Sequence, residues 1–390
     1  MAYKVGGTQV ALDPSVPYLW GSADTTSTMT QTTTITTSGI QSSEAVAVGY
    51  GKVVIGDRRD DTNGNNAGAF YIYNTDGTGE TKVTASDGAA SDELSYPNAL
   101  RIGNGKIVVG SSGHNIRQGA VYVYDLDGTN EVKITASDGA TSDEFGCSVA
   151  VGCGKIVVGA FGDDDNGLTS GSAYIYDLDG TNEIKITPSD GAAGDEFGSG
   201  VAIGCGRIVV TSGENYNGAS YGVAYIYDLL GNEIGTYNPT IGGSARTLGV
   251  NSSVDISSGR ICIGNYNYDG GRGIAYLLDL QGNEITTLQM ASRSSFDFFG
   301  QNVSIGSGRV FISCHLNDDN GSQSGSVLIY DLNGNLIQQI NGASGEYYGR
   351  AIAISNGIAV VRPELTSAPT YIYSTPQVYT VWDAIDLQYG

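Results

Sequence analysis

The chain has 390 residues, with 19 Lys and Arg against 41 Asp and Glu, for a net charge of −22. That balance argues against nucleic acid and anionic membrane surfaces as partners, because their phosphates require clustered cations. An apolar content of 40 % is too high for disorder, and its dispersal in short runs leaves no membrane-spanning helix and no membrane insertion.

In chain order, the first 42 residues stand apart. The opening Met1-Ala2-Tyr3-Lys4-Val5-Gly6-Gly7-Thr8 lacks the basic-then-apolar pattern of a secretory leader. Thr25 to Thr37 is almost entirely Thr, Ser, Met and Gln around Ile35, and β-branched threonines favour extended backbone. Residues 1–42 therefore read as an arm or linker.

Residues 43–390 repeat. A basic residue after a central glycine recurs roughly every fifty residues, at Lys52, Lys106, Lys155, Arg207, Arg260 and Arg309, with Ile358 in its place in the last copy. A second marker recurs at Tyr71-Ile72-Tyr73, Tyr122-Val123-Tyr124, Tyr174-Ile175-Tyr176, Tyr225-Ile226-Tyr227, Tyr276-Leu277-Leu278, Leu328-Ile329-Tyr330 and Tyr371-Ile372-Tyr373. Both markers give seven copies.

Inside a copy the apolar period is two. Val149/Val151, Ile156/Val158, Tyr174/Tyr176 and Ile184/Ile186 alternate with small or polar residues, as half-buried strands do. Asp179-Gly180-Thr181-Asn182 supplies a turn between the third and fourth strands. Seven such four-stranded meanders bury both faces only by packing around an axis. The sequence thus predicts an all-β, seven-bladed β-propeller of four-stranded antiparallel blades over 43–390, with an extended N-terminal arm over 1–42. The V-A-V-G strand is expected innermost. Two segments compete to complete the seventh blade: Gln31 to Thr37, and Val378-Tyr379-Thr380-Val381-Trp382. The C-terminal one is expected to do so, leaving the arm free.

The five cysteines (Cys147, Cys153, Cys205, Cys262, Cys314) are odd in number, and none has C-x-x-C spacing. Cys153 and Cys205 occupy the same place in two copies, which reads as reduced thiols in a cytoplasmically made chain.

Phe145-Gly146, Phe197-Gly198 and Phe299-Gly300, each followed by an inner-strand pattern such as S-V-A-V-G, resemble FG-GAP repeats, the units of the integrin α-chain propeller. Asp163-Asp164-Asp165-Asn166-Gly167 with Gly171-Ser172-Ala173-Tyr174 resembles the bacterial variant. The integrin calcium loop between the first two strands is absent, since only Gly152-Cys153-Gly154 or Gly306-Ser307-Gly308 stands there. Separately, M-A-Y-K-V-G-G-T-Q-V with Leu12-Asp13 resembles the start of virion proteins of marine tailed phages, especially those infecting cyanobacteria. That likeness implies a virion location, attachment to other virion proteins through residues 1–42, and a role as a decoration, fibre or neck component. Host-surface glycan or protein is the partner of the rival reading, an adhesin. A propeller hydrolase is the third.

The loops joining strands two and three, and those leading into the next copy, share one face and carry most of the acids. Clustered carboxylates with Asn and Gly suit Ca²⁺, which takes six to eight oxygens. The candidates are Asp163, Asp164, Asp165 and Asn166, and Asn317, Asp318, Asp319 and Asn320. The alternative is that they are solvated turn residues. The basic residues fall on the opposite face, so a polarised molecule is expected. Phe161, Tyr216, Tyr221, Tyr266 and Tyr268 are candidate contact residues. No catalytic residue is assigned: the two histidines, His114 and His315, are non-equivalent, and neither a G-x-S-x-G nor an H-E-x-x-H pattern occurs.

Overall fold

Each copy folds into one antiparallel sheet, as its period-two alternation requires. In the computed structural model the described residues are 27–374, except 38, 43, 214–221, 242–243, 246–252 and 293. The backbone alone is described for Ala2–Val5, Thr8–Ala11, Thr240–Ile241 and Ser244–Ala245. The third blade shows the pattern. Its strands Ser148–Gly152, Lys155–Ala160, Ser172–Asp177 and Ile184–Ile186 pair in sequence, with Val149 opposite Val158 and Val158 opposite Tyr174. The first hairpin turns on Cys153 and Gly154, both at positive φ (52° and 75°), which matches the right-handed twist of the strands.

Seven four-stranded sheets of this kind form the ring. Their inner strands are Val46–Gly49, Leu100–Gly103, Ser148–Gly152, Gly200–Gly204, Val254–Ser257, Val303–Gly306 and Ala351–Ser355, so the V-A-V-G strand is innermost. Each packs against the next and the last against the first, which closes the circle. The helical elements among the described residues are two four-residue turns, His114–Arg117 and Tyr268–Gly271. No described helix is long and apolar enough to cross a membrane. None of the five cysteines is in a disulfide.

Ring closure departs from the expectation. Thr30–Ile35, not a C-terminal strand, is the fourth strand of blade seven, paired antiparallel with Thr370–Ser374. Val378–Trp382 lies outside the described residues. The choice has a physical cause in burial. Ile35 is 1 % exposed and joins Val46, Tyr71 and Ile372 in one cluster, while Met29 is buried with Phe311, Ile329 and Tyr373. The Met29 N–H donates to Gln338 Oε1 (2.8 Å), and the buried Arg309 donates to the Ser27 carbonyl (2.9 Å) and hydroxyl (3.0 Å). The arm is therefore shorter than 1–42.

The Phe-Gly motif is a blade-to-blade joint. Phe145, Phe197 and Phe299 are fully buried, and Phe197 meets Tyr225 and Tyr227 edge-on at 5.3 and 6.2 Å. Each also forms a parallel bridge to the glycine before the preceding blade's third strand: Gly119 to Phe145, Gly171 to Phe197, Gly273 to Phe299. Tyr348 takes the motif position in the last blade, where its hydroxyl meets that of Tyr373 at 2.6 Å.

The face opposite the acidic loops is not a bare cationic surface. Lys106 and Lys155 are neutralised by Asp125 and Asp177 at 2.5 Å, and Lys52 donates to Asn74. The expected polarity is correspondingly weaker.

Candidate functional site

The acidic loops are organised around lysines of the outer strands. Lys82, Lys133 and Lys185 stand directly across from Tyr71, Tyr122 and Tyr174 on the third strands. A long ammonium side chain laid over an aromatic face gains a cation–π contact, and the three nitrogens lie 5.6, 5.7 and 5.3 Å from the ring centroids. Each lysine then reaches the residue that follows the second strand by three places. That residue is Asp60 in blade one (2.5 Å), His114 in blade two (2.7 Å) and Asp163 in blade three (2.8 Å).

The third copy is the most complete. Oxygens of Asp138, Asp163 and Asp165 lie within 4.8 Å of one another, the geometry of a cation site. The Lys185 ammonium sits among them, at 2.7, 2.8 and 2.6 Å. The Tyr174 hydroxyl is 2.9 Å from Asp138 and 3.1 Å from Asp163. Asp138 comes from the loop of the preceding copy, so the cluster also ties two blades together. In blade two the same logic holds: Tyr122 donates to Asp87 (2.7 Å), and His114 is oriented by Asp92 (2.8 Å).

The other candidate ligands shape their own loops. Asp163 Oδ1 accepts from the Asp165 N–H, Asp164 from the Thr169 N–H, and the Asn166 N–H donates to Ser170. In blade six Asn317 accepts from the Asp319 N–H and the Ser326 hydroxyl, Asp318 accepts from the Gln323 N–H, and Asn320 donates to the Gly342 carbonyl. Gln339 replaces the lysine there and donates to Asp319 (2.8 Å). A divalent ion at blade three has to displace Lys185.

Removing that lysine isolates the buried Asp163 carboxylate. Lys185→Ala should cost about 2 kcal/mol, below the 3–5 kcal/mol of a fully buried pair because Asp138 and Asp165 remain solvated. Millimolar Ca²⁺ should then recover part of the loss in the variant by engaging Asp138, Asp163 and Asp165. In the unaltered protein it should raise Tm no more than NaCl at equal ionic strength. A larger rise there would show that calcium outcompetes the lysine.

Burial pushes Asp57, Asp143, Glu144, Glu196 and Asp297 above the ordinary carboxylate range. Burial acts the same way on Glu44, Asp60, Asp87 and Asp138 but is outweighed. Arg350 and Arg58 hold Glu44 down, and Lys82, Lys133 and Lys185 do so for the three aspartates. A raised group opposes folding while ionised, so stability returns as pH falls through its folded pKa. A lowered group stabilises above its unfolded pKa, and that stability is lost as pH falls through the folded value. Buried His315, whose pKa is lowered to about 3, stays neutral and opposes folding as pH falls below about 6.5, so it offsets the gain from the raised carboxylates. Below about pH 4 the lowered aspartates lose their contribution as well, and Tm should fall steeply. A Tm unchanged between pH 5 and pH 3 in a calorimetric series would contradict this balance.

Of the candidate contact aromatics, Tyr216 and Tyr221 lie outside the described residues. Phe161, Tyr266 and Tyr268 are half-buried. Tyr266 packs edge-on to Phe298 at 5.6 Å, and Tyr268 rests on the core of blades four and five. The fully exposed apolar tips on this face are different residues: Ile116 (77 %), Leu168 (72 %) and Phe296 (65 %). Ile116 sits at φ 60° between Asn115 (50°) and Arg117 (62°), a left-handed run that disfavours a β-branched residue. The matching loop of blade five spends Gly270 and Gly271 on the same turn. His315 is buried, stacked 6.0 Å from Phe298, and burial lowers its pKa to about 3.

The axis holds a feature that the repeat markers do not reveal. The middle residue of the inner strand is Ala47, Ala150, Ala202 and Ala353 in four blades, but Arg101, Asp255 and Ser304 in the others. Arg101 and Asp255 border a chamber of about 180 Å³ on the acidic side of the channel. A second chamber of about 180 Å³ opens towards the hairpin turns. Ile102, Val151, Ile203, Ile305 and Ile354 border both, an apolar belt between them. The broken alanine column was the signal available in sequence.

Comparison with known families matches residues 129–176 and 181–227 to the FG-GAP repeat. These two segments run from the fourth strand of blade two to the third strand of blade four and include the Lys185 cluster. No curated protein matches the chain.

Proposed function

We propose that the protein is a non-enzymatic structural or interaction component of a tailed-phage virion, with the propeller displayed and the preceding residues bound to other virion proteins. The observation that carries this reading is the place where the chain enters the ring. Thr30–Ile35 is the outermost strand of blade seven, so the chain enters the ring at its rim. Ala2–Val5 and Thr8–Ala11 pair antiparallel with each other and, among the described residues, with no blade strand, a hairpin available for attachment. The phage-like opening M-A-Y-K-V-G-G-T-Q-V falls on that hairpin. Asp60, Asp87, Asp138, Asp163 and Asp165 of the loop face are paired with lysines of the outer strands, which supports a binding rather than a catalytic role.

The test is truncation at residue 26, which spares Ser27, Met29 and the closing strand. Particles assembled with the truncated chain should lack the propeller although it folds. Undiminished incorporation would overturn the attachment role. An adhesin is the second reading, favoured by Ile116, Leu168 and Phe296 exposed at loop tips of one face. Replacing all three by Ser should then abolish host-surface binding without lowering Tm.

A further inference from the structure

We infer that the channel chamber at Arg101 binds a small oxyanion: inorganic phosphate, sulfate or a short carboxylate. Three features of the chamber lead there. Arg101 stands where four blades place alanine, so neither the repeat nor its packing calls for it. Among the described residues its one hydrogen bond is to the neighbouring Leu100 carbonyl (2.9 Å), and no carboxylate forms an ion pair with it. The planar guanidinium has five donors and pairs bidentately with oxyanions, so most of its capacity is unused. Finally, the cavity it borders, about 180 Å³, admits such an ion with water; Asn98 and Ser253 line it, and Glu44 and Asp255 are its carboxylates.

Asp255 is the rival partner, and its own contacts argue against that role. Its carboxylate already accepts from the Ile305 N–H (2.7 Å), the Ile256 N–H (2.9 Å) and the Ser304 hydroxyl (3.1 Å). Those donors belong to blades five and six and hold Asp255 without help from Arg101. Burial lowers the Arg101 pKa, and the charge of Asp255 only partly offsets this. An enclosed guanidinium with so little compensation favours a counter-ion. The inference concerns the isolated protein and does not depend on how it is attached to a particle.

The full chain can be titrated with sodium phosphate, sulfate and acetate by calorimetry and thermal shift, with NaCl at equal ionic strength as control. At least one anion should give saturable one-site binding and a Tm rise beyond chloride. Arg101→Ala, the residue of four other blades, should abolish both and leave the anion-free Tm equal to or above that of the unaltered protein. Asp255→Asn should tighten binding several-fold by removing the opposing charge. Three outcomes overturn the inference: no anion exceeds chloride, Arg101→Ala still binds, or Arg101→Ala is strongly destabilised without anion. The last would make Arg101 and Asp255 a structural pair.

Discussion

Deleting residues 1–42 should open the ring and lower Tm steeply, whereas deleting residues 1–26 should leave Tm unchanged. The longer deletion removes Met29 and Ile35, buried to 5 % and 1 % exposure, and strips the ladder from Thr370–Ser374. Burying a Met or Ile is worth about 1.5–3 kcal/mol, and the lost strand hydrogen bonds add about 0.5–1.5 kcal/mol each. It also removes Ser27 from Arg309 and Thr37 from Arg362, two fully buried arginines. The sum is about 5 kcal/mol or more, comparable to the whole stability of many domains. Circular dichroism melts of both truncations decide it. An unchanged melt for the longer one would mean that a C-terminal strand takes over the position.

A pair of glycines separates backbone strain from backbone collision. Gly154, in the blade-three hairpin, has φ +75° and open space where a Cβ would stand. Gly171 has nearly the same φ, +79°, but its Cβ would lie 2.1 Å from the Phe197 carbonyl oxygen and 2.4 Å from its nitrogen. Gly154→Ala should therefore cost about 1 kcal/mol, the ordinary penalty of a left-handed alanine. Gly171→Ala should cost about 3–4 kcal/mol, since neither strand can yield without parting blades three and four. Urea unfolding of the two variants measures the difference. Equal costs would remove the parallel bridge as the reason for glycine.

Local pattern carried the blades: alternation at Val149/Val151 and Tyr174/Tyr176, the Asp179-Gly180 turn and the recurring Phe-Gly are all short-range signals. Closure was not legible, because both candidate strands are extended by propensity and only burial of Met29 and Ile35 against distant residues selects one. The acids of the loops are legible in the sequence; the lysine cages are not. Lys185 lies 22 positions beyond Asp163, and Asp138 belongs to another copy. Cross-strand pairing of Tyr174 with Lys185 was the readable clue. Arg101 is a departure from the inner-strand alanine, so markers shared between the copies do not single it out.

The closing strand also dictates when folding can finish. Thr32 donates to the carbonyl of Ile372, 340 positions away, so the first part of the ring to leave the ribosome waits for nearly the last. Such remote pairing is slow, and an unpaired strand edge invites association with other chains during the wait. The composition of Thr30-Gln31-Thr32-Thr33-Thr34-Ile35 answers that hazard: one buried apolar residue in six, with the rest polar and mostly exposed. During synthesis it is a poor template for aggregation, and it becomes a good strand only when blade seven offers Ile372 and a hydrogen-bonding edge.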